Sequence, residues 1–128
     1  MVKYSFNEIT GINGLQSIFK LKIDKRCQFD EFENEVIAQG QYIDEISSIY
    51  ALMEDVANNK LLPKTKFRDI TINKKDKNKE YEFKTKHLRV YAIKTSAGKI
   101  IMLGGYKNTQ KKDIARFRNI KKTFLQNQ

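Results

Sequence analysis

Apolar and polar residues alternate from Ser17 to Ile23, with Phe19, Leu21 and Ile23 on one side and Lys20 and Lys22 on the other. That period of two predicts a half-buried strand. Ahead of it, the first sixteen residues offer a short extended segment around Tyr4 and Phe6. From Phe29 the period changes. Phe29, Phe32, Val36 and Ile37 recur at helical spacing, Asp30, Glu31 and Glu33 suit a first turn, and Gly40 is a natural terminator. Ile43, Ile46, Ile49, Tyr50, Met53, Val56 and Ala57 then form one broad apolar face, and Asn58-Asn59 ends it before Leu61-Leu62-Pro63. Two helices joined this closely predict an antiparallel pair packed on a sheet.

Beyond Pro63 the pattern is mainly that of strands. An extended piece covers Phe67 to Ile72, and the Lys/Asp/Asn stretch Asn73 to Lys79 suits an exposed loop. Tyr81, Phe83 and Thr85 alternate with Glu82, Lys84 and Lys86. Leu88 to Ile93 and Ile100 to Tyr106 follow, joined across Ser96-Ala97-Gly98 as a hairpin. Asn108-Thr109 then supplies capping residues for a last helix. Its apolar positions are Ile114, Phe117, Ile120 and Phe124, with Lys111, Lys112, Arg116 and Lys122 around them.

The order is therefore an N-terminal strand, two antiparallel helices, an antiparallel sheet of three or more strands and a C-terminal helix. This is an α+β plan in which helices cover one sheet face and the other remains for a ligand. With 128 residues, 40% apolar, and neither a repeat nor a Pro/Gly/Ser-rich linker, the chain reads as one domain over residues 1–128. The lone Cys27 cannot form an internal disulfide, and the chain does not open on an apolar run of signal-peptide type, so a reducing, cytoplasmic setting is expected. Cys27 reads as inert packing beside a helix. The longest apolar run, Ile100 to Leu103, falls far short of the roughly 20 residues of a membrane span.

Charge changes this picture once it is divided by position. Residues 1–63 carry 6 Lys and Arg against 10 Asp and Glu, net −4, whereas residues 64–128 carry 19 against 5, net +14. A positive field confined to one half of a domain gathers a polyanion, with an affinity that falls as salt rises. One His and one Cys cannot build a zinc cluster, and neither a Gly-rich phosphate loop nor a nucleophile elbow is present, so no metal or cofactor is expected. His87, the only histidine, is the only side chain that titrates near neutral pH without perturbation, which makes it a natural general acid or base. On a lone strand, Arg89 shares a sheet face with Tyr91. A guanidinium facing a packed core is costly, so it is expected to face open space or a ligand, with an ion pair to Glu80 or Glu82 as the structural alternative.

The stretch HLRVYAIKTSAGKIIMLGGYKNTQKKDIARFRNIKKTFL, His87 to Leu125, resembles the RelE/HigB-like toxins of type II toxin–antitoxin systems. There a strand with an arginine followed by an aromatic, here Leu88-Arg89-Val90-Tyr91, pairs through a short turn with an apolar strand. The second strand ends in an aromatic–lysine signature, here Tyr106-Lys107-Asn108-Thr109-Gln110-Lys111-Lys112. The resemblance covers roughly residues 60–125; residues 1–16 form an N-terminal extension relative to compact members.

It implies a microbial ribonuclease-like fold and a metal-independent endoribonuclease, an mRNA interferase that blocks translation. Its partners would be mRNA, the ribosome and a cognate antitoxin with an acidic contact surface. Attack of a 2′-hydroxyl on the adjacent phosphate needs a base, cations for the transition-state charge and a proton for the leaving 5′-oxygen. The implied catalytic set is Arg89 on the phosphate, His87 in proton transfer, Tyr106 stacking a base or transferring a proton, and Lys107 on phosphate. Lys84, Lys86, Lys111, Lys112 and Arg116 are the implied RNA-binding set. A ParE-like toxin, which shares the fold but targets gyrase, and a non-catalytic nucleic-acid-binding domain are the alternative expectations.

Overall fold

The computed structural model describes residues 2–128. Its elements run β1 (Tyr4–Glu8), β2 (Ile18–Ile23), α1 (Gln28–Gln39), α2 (Ile43–Ala57), β3 (Phe67–Asp69), β4 (Glu80–Lys84), β5 (Leu88–Thr95), β6 (Gly98–Tyr106), a 3-10 turn (Lys107–Thr109) and α3 (Gln110–Gln126). The architecture is α+β, as the pattern predicts. Six strands form one sheet in the order β1-β2-β6-β5-β4-β3. Every neighbouring pair is antiparallel except β2 and β6, which run parallel through Ile18–Lys99, Phe19–Ile100 and Lys20–Ile101. No helix among the described residues is long and apolar enough to cross a membrane.

The two helices of the first half end where the sequence places them. Gly40 closes α1 in the left-handed region at φ 79°, where an L side chain is strained, and its N–H reaches the Val36 carbonyl. At the other end Cys27 does more than pack: its sulfur accepts the Asp30 N–H at 3.5 Å and caps α1. The extended piece expected from Phe67 to Ile72 narrows to three residues. At Ile70 the chain still donates to the Glu80 carbonyl, but beyond it Asp69 folds back onto the Thr71 N–H in a local turn.

The expectation that helices cover only one sheet face is corrected. Phe29, Phe32, Val36, Ile49, Met53 and Val56 of α1 and α2 pack on one face against Phe83, Leu88, Val90, Ala92 and Ile101. On the opposite face Phe117 and Phe124 of α3 pack against Leu21, Tyr91, Ile93, Ile100, Met102 and Leu103. The physical reason lies in the central hairpin. From Leu88 to Ile93 and from Ile100 to Leu103 every residue is buried, so both faces of β5 and β6 need cover. A register shift between Tyr91 and Ala92, where β6 carries an extra residue, lets two successive β6 residues, Met102 and Leu103, join the core beneath α3.

Polar contacts pin α3 to this face. Lys121, itself buried, donates to Asp76 at 2.7 Å and to Glu80 at 3.0 Å, and Arg118 meets Glu80 at 2.9 Å and the Ile70 carbonyl at 2.7 Å. Lys121 and the Asn78 N–H hold the Asp76 carboxyl below the usual carboxylate range. That part of the docking is therefore present above the ordinary aspartate range and is lost as acidification carries pH down through the depressed value.

Gly104 and Gly105 let the strand slide between the two layers. A β-carbon at Gly104 would come within 2.3 Å of the Phe32 ring on one face, and one at Gly105 within 1.9 Å of the Asp113 carboxylate on the other. We expect Gly104→Ala to destabilise the fold by about 1–3 kcal/mol through overpacking, read from urea unfolding. An unchanged midpoint and slope would mean that Phe32 does not press on this strand.

Candidate active site

Several element ends converge at one end of the sheet: the C-termini of β4 and β6, the N-terminus of β5, and the first turns of α2 and α3. The short link Thr85-Lys86-His87 joins β4 to β5, and Lys107 donates its backbone N–H to the His87 carbonyl at 2.8 Å. The link and the chain leaving β6 are thus held together. Most of the side chains singled out from the sequence lie here, but the sheet sorts them onto two faces.

On the α3 face, Arg89 stands opposite Lys84 and Gly105 and is only 5% exposed. It does not face open space, as the alternation of an isolated strand had suggested, because α3 roofs this face. Its Nη1 donates to the carbonyls of Thr85 at 2.6 Å and Leu88 at 2.8 Å, while its Nε is buried with no partner. Nor is it paired with Glu80 or Glu82. Glu80 is taken by Arg118 and Lys121, and the fully buried Glu82 by Arg68 at 2.9 Å and Gln110 at 2.6 Å. No carboxylate lies within 4.0 Å of Arg89 among the described residues.

The neighbourhood holds both signs of charge: Arg68 is paired with Glu82, and the Asp113 carboxylate lies over Gly105, opposite Arg89. Burial, then the charge of Arg68, pushes the Lys84 ammonium below its ordinary range; Glu82 opposes the shift, and Arg89 and Lys107 add to it by smaller amounts. Beside Arg89 on the same face the Tyr91 hydroxyl is also buried without a partner, and burial raises its pKa. An unpaired buried cation costs several kcal/mol, and two hydrogen bonds to carbonyls recover about 1.5–3 kcal/mol each. The arrangement therefore holds a charge in place without neutralising it.

On the α1/α2 face, His87 sits between Glu45 and Tyr42. Its Nδ1 lies 2.7 Å from Glu45 Oε2, and the Tyr42 ring stacks on it at 4.2 Å and 18°. The other ring nitrogen, Nε2, has no hydrogen-bond partner among the described residues. His87, Tyr42, Tyr106, Lys107, Asn108, Gln39 and Gln41 line an open cleft of about 560 Å³. Tyr106 packs edge-on to Phe32 at 5.5 Å, its hydroxyl is buried without a partner, and burial together with Glu35 keeps it in the neutral form.

The implied RNA-binding residues divide. Lys84 belongs to the Arg89 cluster, Lys86 is exposed in the link beside His87, and Lys107 stands at the rim, lining the His87 cleft while acting on Lys84. Lys112 and Arg116 line a separate slot of about 240 Å³ between α1 and α3, in company with Glu31, Glu35 and Asp113. Arg116 is drawn to Gln28 and lies 3.8 Å from Asp113, so this slot carries both signs of charge. Lys111 is exposed on the first turn of α3 and lines neither cleft.

Three participants escape the sequence reading: Glu45, Tyr42 and Arg68. Glu45 is 42 residues from His87, and only tertiary folding joins them. Arg68 could have been found from its place beside Phe67 in a β-like segment, where alternation sets it on the opposite face from that aromatic.

No protein-family model, no curated protein and no solved structure matches this chain. The likeness to RelE/HigB-like toxins rests on the residues quoted for it.

The unpaired Arg89 guanidinium gives a direct expectation. Inorganic pyrophosphate should raise the melting temperature of the protein at low salt, and Arg89→Met should abolish that rise while Lys111→Gln retains it. Equal rises in all three forms would place anion binding elsewhere.

Proposed function

We propose that this protein is a metal-independent endoribonuclease of the mRNA interferase type, acting on messenger RNA at the ribosome and held inactive by a cognate antitoxin. The observation that carries this reading is Arg89, a buried guanidinium with a free Nε and no carboxylate partner, set opposite Lys84 on the next strand. A permanently charged, forked donor held without a counter-ion suits a phosphate, and suits still better the extra negative charge of a phosphorane-like transition state.

We assign the remaining requirements of strand scission to groups at the same sheet end. His87 has a free ring nitrogen on an open cleft and serves in proton transfer. Lys107 at the rim bridges the two faces and holds phosphate. Tyr106, neutral and at the cleft wall, stacks a base. Lys86 and Lys111, in the basic second half of the chain, extend the positive surface along which an RNA backbone runs. An antitoxin that silences such a protein would cover this end with an acidic segment.

The test is purified protein with messenger RNA, with and without ribosomes, in the presence of a chelator. Cleavage is expected in at least one setting, leaving 2′,3′-cyclic phosphate and 5′-hydroxyl ends. Arg89→Ala should lower kcat/KM by about 10²- to 10³-fold. RNA that is bound but left whole in both settings would make the protein a non-catalytic nucleic-acid-binding domain instead.

A further inference from the structure

A dense polar cluster surrounds His87, and its organising group is a residue with no part in the reading above. Glu45 stands in the first turn of α2 and reaches across to the β4–β5 link. One carboxylate oxygen, Oε1, accepts the His87 backbone N–H at 2.8 Å and the Thr85 hydroxyl, and the other, Oε2, faces His87 Nδ1 at 2.7 Å. Tyr42, at the N-terminus of the same helix, covers one face of the imidazole. The ring is fixed in position, in tilt and in rotation about its own axis. A histidine that merely decorates a strand end has no need of all three.

We propose that Glu45 is a positioning residue that holds His87 in the Nδ1–H tautomer, so that His87 enters RNA cleavage as the base, through Nε2. The inference rests on the ribonuclease reading. An ionised carboxylate accepts and never donates, so the hydrogen between Oε2 and Nδ1 belongs to the ring. In a neutral imidazole that leaves the lone pair on Nε2, which has no protein partner, on a ring that lines the cleft with Tyr106, Lys107 and Asn108. Burial alone would push the Glu45 carboxyl up, but the hydrogen bonds from Thr85 and from His87 outweigh it and keep the group ionised.

In the reaction, Nε2 takes the proton of the 2′-hydroxyl as the O2′–P bond forms. The P–O5′ bond breaks, and the 5′-oxygen takes a proton from solvent at the open mouth of the cleft. The imidazolium, stabilised by Glu45, then returns its proton to water. No redox change and no co-reactant besides water is involved.

The decisive variant is Glu45→Gln. Its amide oxygen can still receive the His87 N–H and the Thr85 hydroxyl, which leaves the amide NH₂ facing Nδ1. That group donates where the carboxylate accepted, and so forces the ring into the Nε2–H tautomer, which cannot act as base. The experiment is ¹⁵N NMR of the His87 ring in the full chain, alongside RNA cleavage and a thermal melt.

We expect the wild type to show Nδ1–H with an unprotonated Nε2 and Glu45→Gln to show the reverse. kcat should fall by about 10²- to 10⁴-fold with KM little changed and the melting temperature close to that of the wild type. A Glu45→Ala form, able neither to accept nor to donate at Nδ1, should show both tautomers and an intermediate kcat. The proposal is overturned if the wild-type ring carries its hydrogen on Nε2. It is also overturned if Glu45→Gln flips the tautomer and kcat is unchanged, or if kcat falls only as far as the fold is lost. If the wild type cuts no RNA at all, the ribonuclease reading and the base assignment fail together, and the tautomers alone then decide whether Glu45 positions the ring.

Discussion

The constraint on which the rest depends is that the central hairpin β5–β6 is apolar on both faces. Buried residues run without a break from Leu88 to Ile93 and from Ile100 to Leu103, so neither face can be left to water. α1 and α2 cover one and α3 the other. Each buried aliphatic or aromatic side chain contributes about 1.5–3 kcal/mol, and a hairpin with one naked face would forfeit roughly half of that sum. The sheet is therefore the middle layer of three. Its exposed ends, and not its faces, are left for chemistry.

That placement explains the character of the candidate site. At the end where β4, β5 and β6 meet the first turns of α2 and α3, backbone groups and side chains from both layers come within reach of one another. Arg89 is held by two carbonyls on the α3 side. His87 is held by a carboxylate and an aromatic ring on the α2 side. Both groups are tied to the Thr85-Lys86-His87 link, and Lys107 donates its backbone N–H to that link as the chain leaves β6. The acids on this face are already engaged: Glu82 ties Arg68 to the first turn of α3 through Gln110, Glu80 serves the Arg118–Lys121 network further along the helix, and Asp113, over Gly105, accepts the Thr109 hydroxyl. Glu82, two residues along β4 from the Arg89 partner Lys84, is thus spent on Arg68 and Gln110.

Much of the fold was legible because periodicity reports burial. The period-two stretch before Ile23, the apolar faces of α1 and α2, the hairpin across Ser96-Ala97 and the terminal helix all lie where the pattern puts them. What misled was the same rule read too simply. Alternation on Leu88-Arg89-Val90-Tyr91 assigns Arg89 and Tyr91 to one face but does not say what covers that face, and the unbroken run Ile100-Ile101-Met102-Leu103 was the available sign that both faces are covered. The parallel pairing of β2 with β6 joins residues some 80 positions apart and leaves no local trace. For the site, residue chemistry pointed to Arg89, His87 and Lys107, but the partners that give them roles sit on other elements. Glu45 and Tyr42 are read from their own neighbourhood only as an acid in a first turn and an aromatic in a helix-to-helix link.

The central claim is that Arg89 keeps a buried, unneutralised charge for an incoming phosphate. It is tested most directly at the atom that lacks a partner, by following the Arg89 Nε–H resonance while an uncleavable 2′-O-methyl RNA is added. The account predicts that this resonance shifts with RNA concentration and becomes protected from exchange. An Arg89 Nε–H that stays unmoved at saturation, while resonances of exposed lysines such as Lys86 and Lys111 shift, would contradict it.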